Sequence, residues 1–242
     1  MSDAKVRLYV DQPLGAGQAV ALSADQAHYL FAVMRLGAGQ HVLLFNSRDG
    51  EWLAEIAAPG KRTGTLACLA QTAPLQPPPD LWLLFAPIKK ARTDFIVEKA
   101  VEMGAARILP VQTRFTNSER LRQDKLQAHA VEAAEQCRAT FVPEVAELQP
   151  LDRLLAAWPA DRHLMWGDEG QAGETTPLPD LPRGQPWAIL IGPEGGFAEA
   201  EKTRLRALPQ IVPTSLGPRI LRADTAAVAA LTLWQLRYGD WT

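Results

Sequence analysis

The chain has 242 residues, 47% of them apolar and 21% charged, with a net charge of −2, so it has the composition of a globular protein and cannot coat nucleic acid through bulk charge. No apolar run nears the ~20 residues needed to span a bilayer, and "MSDAKVRLYV" lacks the basic-then-apolar layout of a secretory signal, which predicts a soluble, cytoplasmic protein. Cys68 and Cys137 stand apart without CxxC spacing, excluding a disulfide framework or a zinc site and predicting reduced thiols and no metal.

Up to residue 74, short apolar runs alternate with Gly, Asn, Asp and Pro. His41 to Phe45 (HVLLF), Glu51 to Ile56 (EWLAEI) and Gly64 to Ala70 (GTLACLA) read as strands of a small β-barrel. "DQAHYLFAVMRL", Asp25 to Leu36, is the helix predicted within it. Pro77 to Pro79 then form a stiff, extended connector that neither a helix nor a central strand tolerates, which separates a domain over residues 1–74 from one over 80–242. Beyond it the pattern becomes strand and helix in turn. "LWLLFAP" is a buried strand, and "ARTDFIVEKAVEMG" a helix with Thr93 and Asp94 in its first turn and Gly104 as its stop. "ARILPV" is the next strand, and Thr116 with Glu119 match a capping box ahead of the helical "RLRQDKLQAHAVEAAEQC". "RHLMWG", "PWAILIG" and "PQIVPT" supply further strands of a mostly parallel α/β sheet.

The strand "PWAILIG" runs into the turn Gly192-Pro193-Glu194-Gly195-Gly196. The turn lacks the lysine of a phosphate cradle and the GxGxxG fingerprint, and Glu194, Glu199 and Glu201 repel an anion, so a neutral or cationic ligand suits it better. Gly192, Gly195 and Gly196 let a flat ligand lie against backbone. By itself the turn is equally well read as a tight βα connection. A second segment, "TSLGPRILRADTAAVAALTLWQL" from Thr214 to Leu236, leaves the last strand, turns at Gly217 and Pro218, and offers Leu216, Ile220 and Leu221 as an apolar wall beside Arg219 and Arg222. Alanines 226, 227, 229 and 230 follow in a helix that another backbone can approach closely.

Together "LIGPEGG" and "SLGPRILRADTA" resemble the two C-terminal signatures of the RsmE family, SPOUT-class methyltransferases of small-subunit ribosomal RNA. The resemblance extends to "HYLFAVMRLGAGQHVLLFN", "KKARTDFIVEKAVEMGAARILPVQTRF" and "EAAEQCRATFVPEV", in family order over nearly the whole chain. It implies an α/β chain with a C-terminal SPOUT trefoil-knot methyltransferase domain and a small N-terminal PUA-like β-barrel, a rare threaded topology. It further implies S-adenosylmethionine as methyl donor, a homodimer, and methylation of a uridine N3 in 16S ribosomal RNA or the small subunit. The cofactor-binding residues it implies are Ile191, Gly192, Gly195, Gly196, Leu216, Gly217, Ile220 and Leu221, with Met165 to Glu169 as a third side. The sequence departs from the family at Asp224, where glutamate is usual, and at Ala139, where many members carry arginine.

Methyl transfer to uracil N3 needs alignment and removal of a proton, and a guanidinium suits the negative charge that develops, which puts Arg219, Arg222 and Glu194 forward as catalytic. For His28, His41, His129 and His163 a structural or surface role is expected rather than catalysis. Arg7 and Arg35 on the barrel and Lys89, Lys90, Arg92 and Arg114 on the second domain are the RNA-binding candidates. Two other classes compete: a non-catalytic RNA-binding assembly protein, separated by titration with the donor, and a Rossmann-like small-molecule enzyme, disfavoured by the absence of a glycine fingerprint after the first strand of the second domain.

Overall fold

The computed structural model describes residues 4–60, 62–117, 121–174 and 177–241. The backbone divides into two compact units, Met1–Pro77 with Ala134–Val142, and Pro78–Ala133 with Pro143–Thr242.

The first unit follows the alternating pattern of its sequence. Strands β1 (Arg7–Tyr9), β2 (Ala19–Ala21), β3 (His41–Asn46), β4 (Gly50–Pro59) and β5 (Gly64–Ala73) form one sheet in the order β1-β3-β4-β5-β2. β1 runs parallel to β3 and the remaining pairs are antiparallel. Side chains two apart, such as Val42 and Leu44 or Ala54 and Ile56, point to one side and join Leu8, Val20, Leu66 and Cys68 in a single core. Both cysteines are free, and burial pushes the Cys68 thiol above its ordinary pKa.

The helix predicted over Asp25 to Leu36 is broken into two windings. Helix α1 (Ala24–Ala27) starts from Ser23, whose hydroxyl accepts from Gln26 N while the Gln26 side chain accepts from Ser23 N. From His28 to Val33 the chain widens into a π-helix, closed by Met34 N donating to Tyr29 O. This winding keeps Ala27 and Leu30 in the core and leaves Tyr29, Val33 and Met34 exposed.

In the second unit β6 (Leu81–Phe85), β7 (Arg107–Gln112), β8 (Glu144–Val145), β10 (His163–Gly167), β11 (Trp187–Ile191) and β12 (Ile211–Thr214) lie in the order β12-β10-β11-β6-β7-β8, with β9 (Gln149–Pro150) beside β7. Every pairing is parallel. The connections carry helices α2 (Lys90–Glu102), α3 (Gln123–Cys137), α4 (Leu151–Ala156) and α5 (Glu199–Arg206), and α6 (Ala223–Tyr238) follows β12. Strands covered on both faces have no polar side, and all of Trp187–Ile191 is buried accordingly.

Gly104 takes φ 77 just past α2, as its position as a stop predicts. Glu119 lies outside the described residues, and Thr116 Oγ accepts from Thr113 N in a local turn, seven residues ahead of the first residue of α3. α6 packs on α2, and Gln235 Nε2 donates to Met103 O at 2.7 Å. One side of α6 buries Ala227, Ala230, Leu231 and Trp234, while the other carries Val228, Ala229, Leu233 and Leu236. Among the described residues no helix is long and apolar enough to cross a membrane.

Candidate functional site

Parallel strands β10, β11 and β12 are neighbours, so the chain segments leaving their C-terminal ends converge, which is where open α/β sheets hold ligands. They enclose a cavity of about 520 Å³, within the range for a small-molecule site. Ile191, Gly192, Gly195, Gly196, Leu216, Gly217, Ile220 and Leu221 all line it, and so do Glu194, Arg219 and Arg222. The structure thus brings together every residue the sequence assigned to cofactor binding and catalysis. Of the third side, Gly167, Asp168 and Glu169 reach the cavity, while Met165 and Trp166 are fully buried in the sheet. Leu216 and Leu221 are partly buried, but Ile220 is 76% exposed and sits at the rim.

The glycines of the turn answer to three different neighbours. A Cβ on Gly192 would lie 2.6 Å from the buried Phe197 ring, so this glycine makes room for core packing against Trp166. On Gly195 it would lie 3.3 Å from Phe115 Cβ. Gly196 has φ 68, and a Cβ there would fall on the Glu169 carboxylate. Tight connection and cavity wall are therefore the same turn.

Charge at the mouth is organised by a residue from outside the turn. Arg92, in the first turn of α2, donates from Nη1 to Glu194 Oε1 at 2.6 Å, and its Nε lies 3.7 Å from Asp224 Oδ2 at the head of α6. One guanidinium thus links two walls of the cavity. The 3.7 Å gap is too long for a hydrogen bond, so Asp224 interacts with Arg92 through charge alone. Asp168 is buried and caps the short turn Glu169–Gln171 by accepting from Gly170 N. Arg219 and Arg222 are exposed and have no carboxylate in ion-pair range among the described residues.

The RNA-binding candidates divide sharply. Arg7 is an internal clamp, not a surface cation: its side chain is 8% exposed, Nε pairs with Glu51 at 2.6 Å, and Nη1 and Nη2 donate to Ala134 O and Ala139 O at 2.6 Å each. Its guanidinium also lies 3.6 Å from the Phe45 ring centroid. With each of its three nitrogens engaged inside the first unit and its side chain nearly buried, Arg7 is not placed as an open phosphate contact. Arg35 is exposed with φ 57. Lys89 and Lys90 are exposed, Lys90 pairing with Asp94. Thr93 fixes the approach to them, exchanging hydrogen bonds with Ile88 N and O. Arg114 is exposed, and its backbone N donates to Glu201 Oε1. Arg92 is held by Glu194 of the cavity turn and lies near Asp224, a placement the sequence does not signal because these partners lie 102 and 132 residues downstream. Among the described residues no group of three or more His, Cys, Asp and Glu is placed to hold a metal ion.

Residues 76–235 match the family model for an RNA methyltransferase domain, and residues 22–67 that for an RNA methyltransferase PUA domain. Along its length the chain is similar to the ribosomal RNA small subunit methyltransferases E of Rickettsia conorii, 28% identical over 93% of each chain, and of Bacillus subtilis, 26% identical over 88% of each. Its structure is similar to the crystal structure of the Neisseria gonorrhoeae ribosomal RNA small subunit methyltransferase E bound to S-adenosylmethionine, with TM-score 0.87 and 25% identity over 98% of this chain and 99% of that one. It is also similar to a putative methyltransferase of Legionella pneumophila with bound S-adenosylmethionine, with TM-score 0.85 and 27% identity over 97% and 98%.

Proposed function

We infer that this chain, which belongs to the RNA methyltransferase family of the ribosomal RNA small subunit methyltransferases E, transfers a methyl group from S-adenosylmethionine to N3 of a uridine in small-subunit ribosomal RNA. The observation that carries the reading is the convergence of the Gly192–Gly196 turn and the Leu216–Arg222 segment on one cavity, in a chain that superposes over nearly its full length on a donor-bound relative. The residues fit the donor. Ile191, Leu216 and Leu221 give an apolar wall for a flat adenine, and Asp168, Glu169 and Glu194 give a negative surround for a sulfonium and an ammonium.

When bound, the donor supplies an electrophilic methyl group whose bond to sulfur breaks as the bond to nitrogen forms. The chain's own contribution is alignment and charge. Exposed and unpaired, Arg219 and Arg222 are free to meet the negative charge that spreads over uracil once N3 loses its proton. Glu194, held by Arg92 and lining the cavity, is the group this reading assigns to receive that proton. A homodimer built on the outer, apolar side of α6 goes with this reading, since Leu236 is exposed there and Val228, Ala229 and Leu233 are only partly buried. A cytoplasmic site of action follows from the substrate. The test is transfer of label from S-adenosylmethionine to 16S ribosomal RNA or intact small subunits, followed by nucleoside mass spectrometry. Appearance of N3-methyluridine supports the assignment, and a methylated nucleoside of another kind moves the acceptor atom.

A further inference from the structure

Phe115 stands against Gly195 of the cavity turn as a large, exposed aromatic. Its side chain is 45% exposed, yet its Cβ and Cγ lie 3.3 and 3.7 Å from the position a Cβ of Gly195 would take. The ring therefore rises directly from the glycine turn that lines the cavity. Its loop is pinned from both sides. Thr113 N and Oγ1 meet Thr116 Oγ1 at 2.9 Å. Arg114 N donates to Glu201 Oε1, while Glu201 Oε2 accepts from Ala198 N at the start of α5, so one buried carboxylate ties the loop to the cavity wall. Leaving a phenyl ring in water is unfavourable, and Phe115 is 45% exposed.

The charge around the ring indicates what covers it. Arg114 beside it and Arg219 and Arg222 on the same cavity are exposed and lack a carboxylate partner among the described residues. An exposed aromatic next in the chain to an unpaired cation, against the turn of a cavity whose wall carries two more, suits single-stranded nucleic acid, in which a base stacks while the adjoining phosphates meet the cations. A protein partner would present carboxylates to the same arginines but has no flat face that must be held parallel to the donor.

We propose that Phe115 is the stacking platform for the acceptor nucleotide: an unstacked pyrimidine base of the RNA lies against the ring, with Arg114 on the neighbouring phosphate, at the mouth of the donor cavity. The proposal rests on the methyltransferase reading above and adds the seat of the second substrate. Stacking on the rigid ring fixes the plane of the base before transfer, leaving rotation within that plane to the arginines.

The experiment uses the full-length protein, transcribed 16S ribosomal RNA and a single-stranded oligouridylate as probes, and the variants Phe115→Ala, Phe115→Trp and Arg114→Ala. Phe115→Ala is expected to weaken oligouridylate binding and raise the KM for ribosomal RNA about ten- to a hundred-fold. The slope of log Kd against log salt should stay at the wild-type value because no phosphate contact is lost, and donor affinity should stay unchanged. Phe115→Trp should restore both within a few-fold, whereas Arg114→Ala should lower the salt slope by about one. RNA affinity within two-fold of wild type for Phe115→Ala overturns the platform, as does a tryptophan variant no better than alanine. A parallel loss of donor affinity overturns it too, because the ring would then only support Gly195. If light scattering shows that Phe115→Ala changes the oligomer, the ring covers a second copy of the chain and the proposal falls. Wild-type protein that transfers no label to RNA removes the methyltransferase reading itself, an outcome separate from all of these.

Discussion

Gly196→Ala tests the turn more finely than any larger substitution. Gly196 has φ 68, a conformation that costs an alanine roughly 1–2 kcal/mol. The added Cβ would also fall on Glu169, 3.2 Å from its carboxylate carbon. Glu169 is an exposed side chain on a short turn, so it can swing aside at a cost of about 1 kcal/mol or less. Urea unfolding should therefore show a loss of about 1–3 kcal/mol with an unchanged m-value. Calorimetric titration with S-adenosylmethionine should show a further effect, a loss of affinity greater than about ten-fold, because both the backbone surface and the position of Glu169 have altered within the cavity. Gly184→Ala separates strain from contact. Its φ is 82, a Cβ there meets nothing within 4 Å, and it does not line the cavity, so it should lose comparable stability and retain the donor affinity. If Gly196→Ala loses the expected stability and binds donor like wild type, the turn does not touch the donor and the reasoning fails.

Arg92→Ala should weaken donor binding and leave the salt dependence of RNA binding unchanged, because its guanidinium is held by Glu194 and Asp224; a salt slope lowered by about one with donor affinity intact would return Arg92 to the RNA surface. Asp224→Glu should bring the second carboxylate within hydrogen-bond reach of Arg92 and tighten donor binding, and a weaker Kd would show that the 3.7 Å spacing is the required one. Arg219→Ala and Arg222→Ala should lower single-turnover methylation at saturating substrates by on the order of 100-fold for whichever residue meets the developing charge, with lysine rescuing only in part; a slowing of less than a few-fold in both reassigns the role. Hydrogen bonds from Leu14 N and then from the Asn46 amide hold the Asp49 carboxyl below its ordinary value of 3.8. Its folded pKa is depressed, so its stabilisation is complete above 3.8 and is lost as pH falls through the lower folded value. Asp49→Asn should accordingly flatten the acid limb of the stability profile, and an unchanged limb would place the proton uptake elsewhere.

The apolar periods of the sequence determine most of the elements, because burial on one face or on both leaves a regular mark. The short apolar runs "HVLLF" and "WAILI" correspond to β3 and β11, the one buried in part, the other throughout. Gly104 announces the end of α2 for an equally local reason, its φ of 77. Local pattern is blind to winding, which is why Asp25 to Leu36 reads as one helix although His28–Val33 turns as a π-helix to keep Leu30 in the core. The two glycine-bearing segments of the cavity are likewise legible, since each must carry its own turn chemistry. What tertiary structure alone decides is which distant groups meet. A charged side chain has the same local sequence whether it faces water or a partner. So Arg7, read as an RNA contact, is instead closed on Glu51 and the carbonyls of Ala134 and Ala139, and Arg92 spans Glu194 and Asp224. Phe115 carries no mark in the sequence either, because its place beside Gly195 follows from how β7, β11 and α5 are stacked, and that depends on long-range packing rather than on the residues next to it.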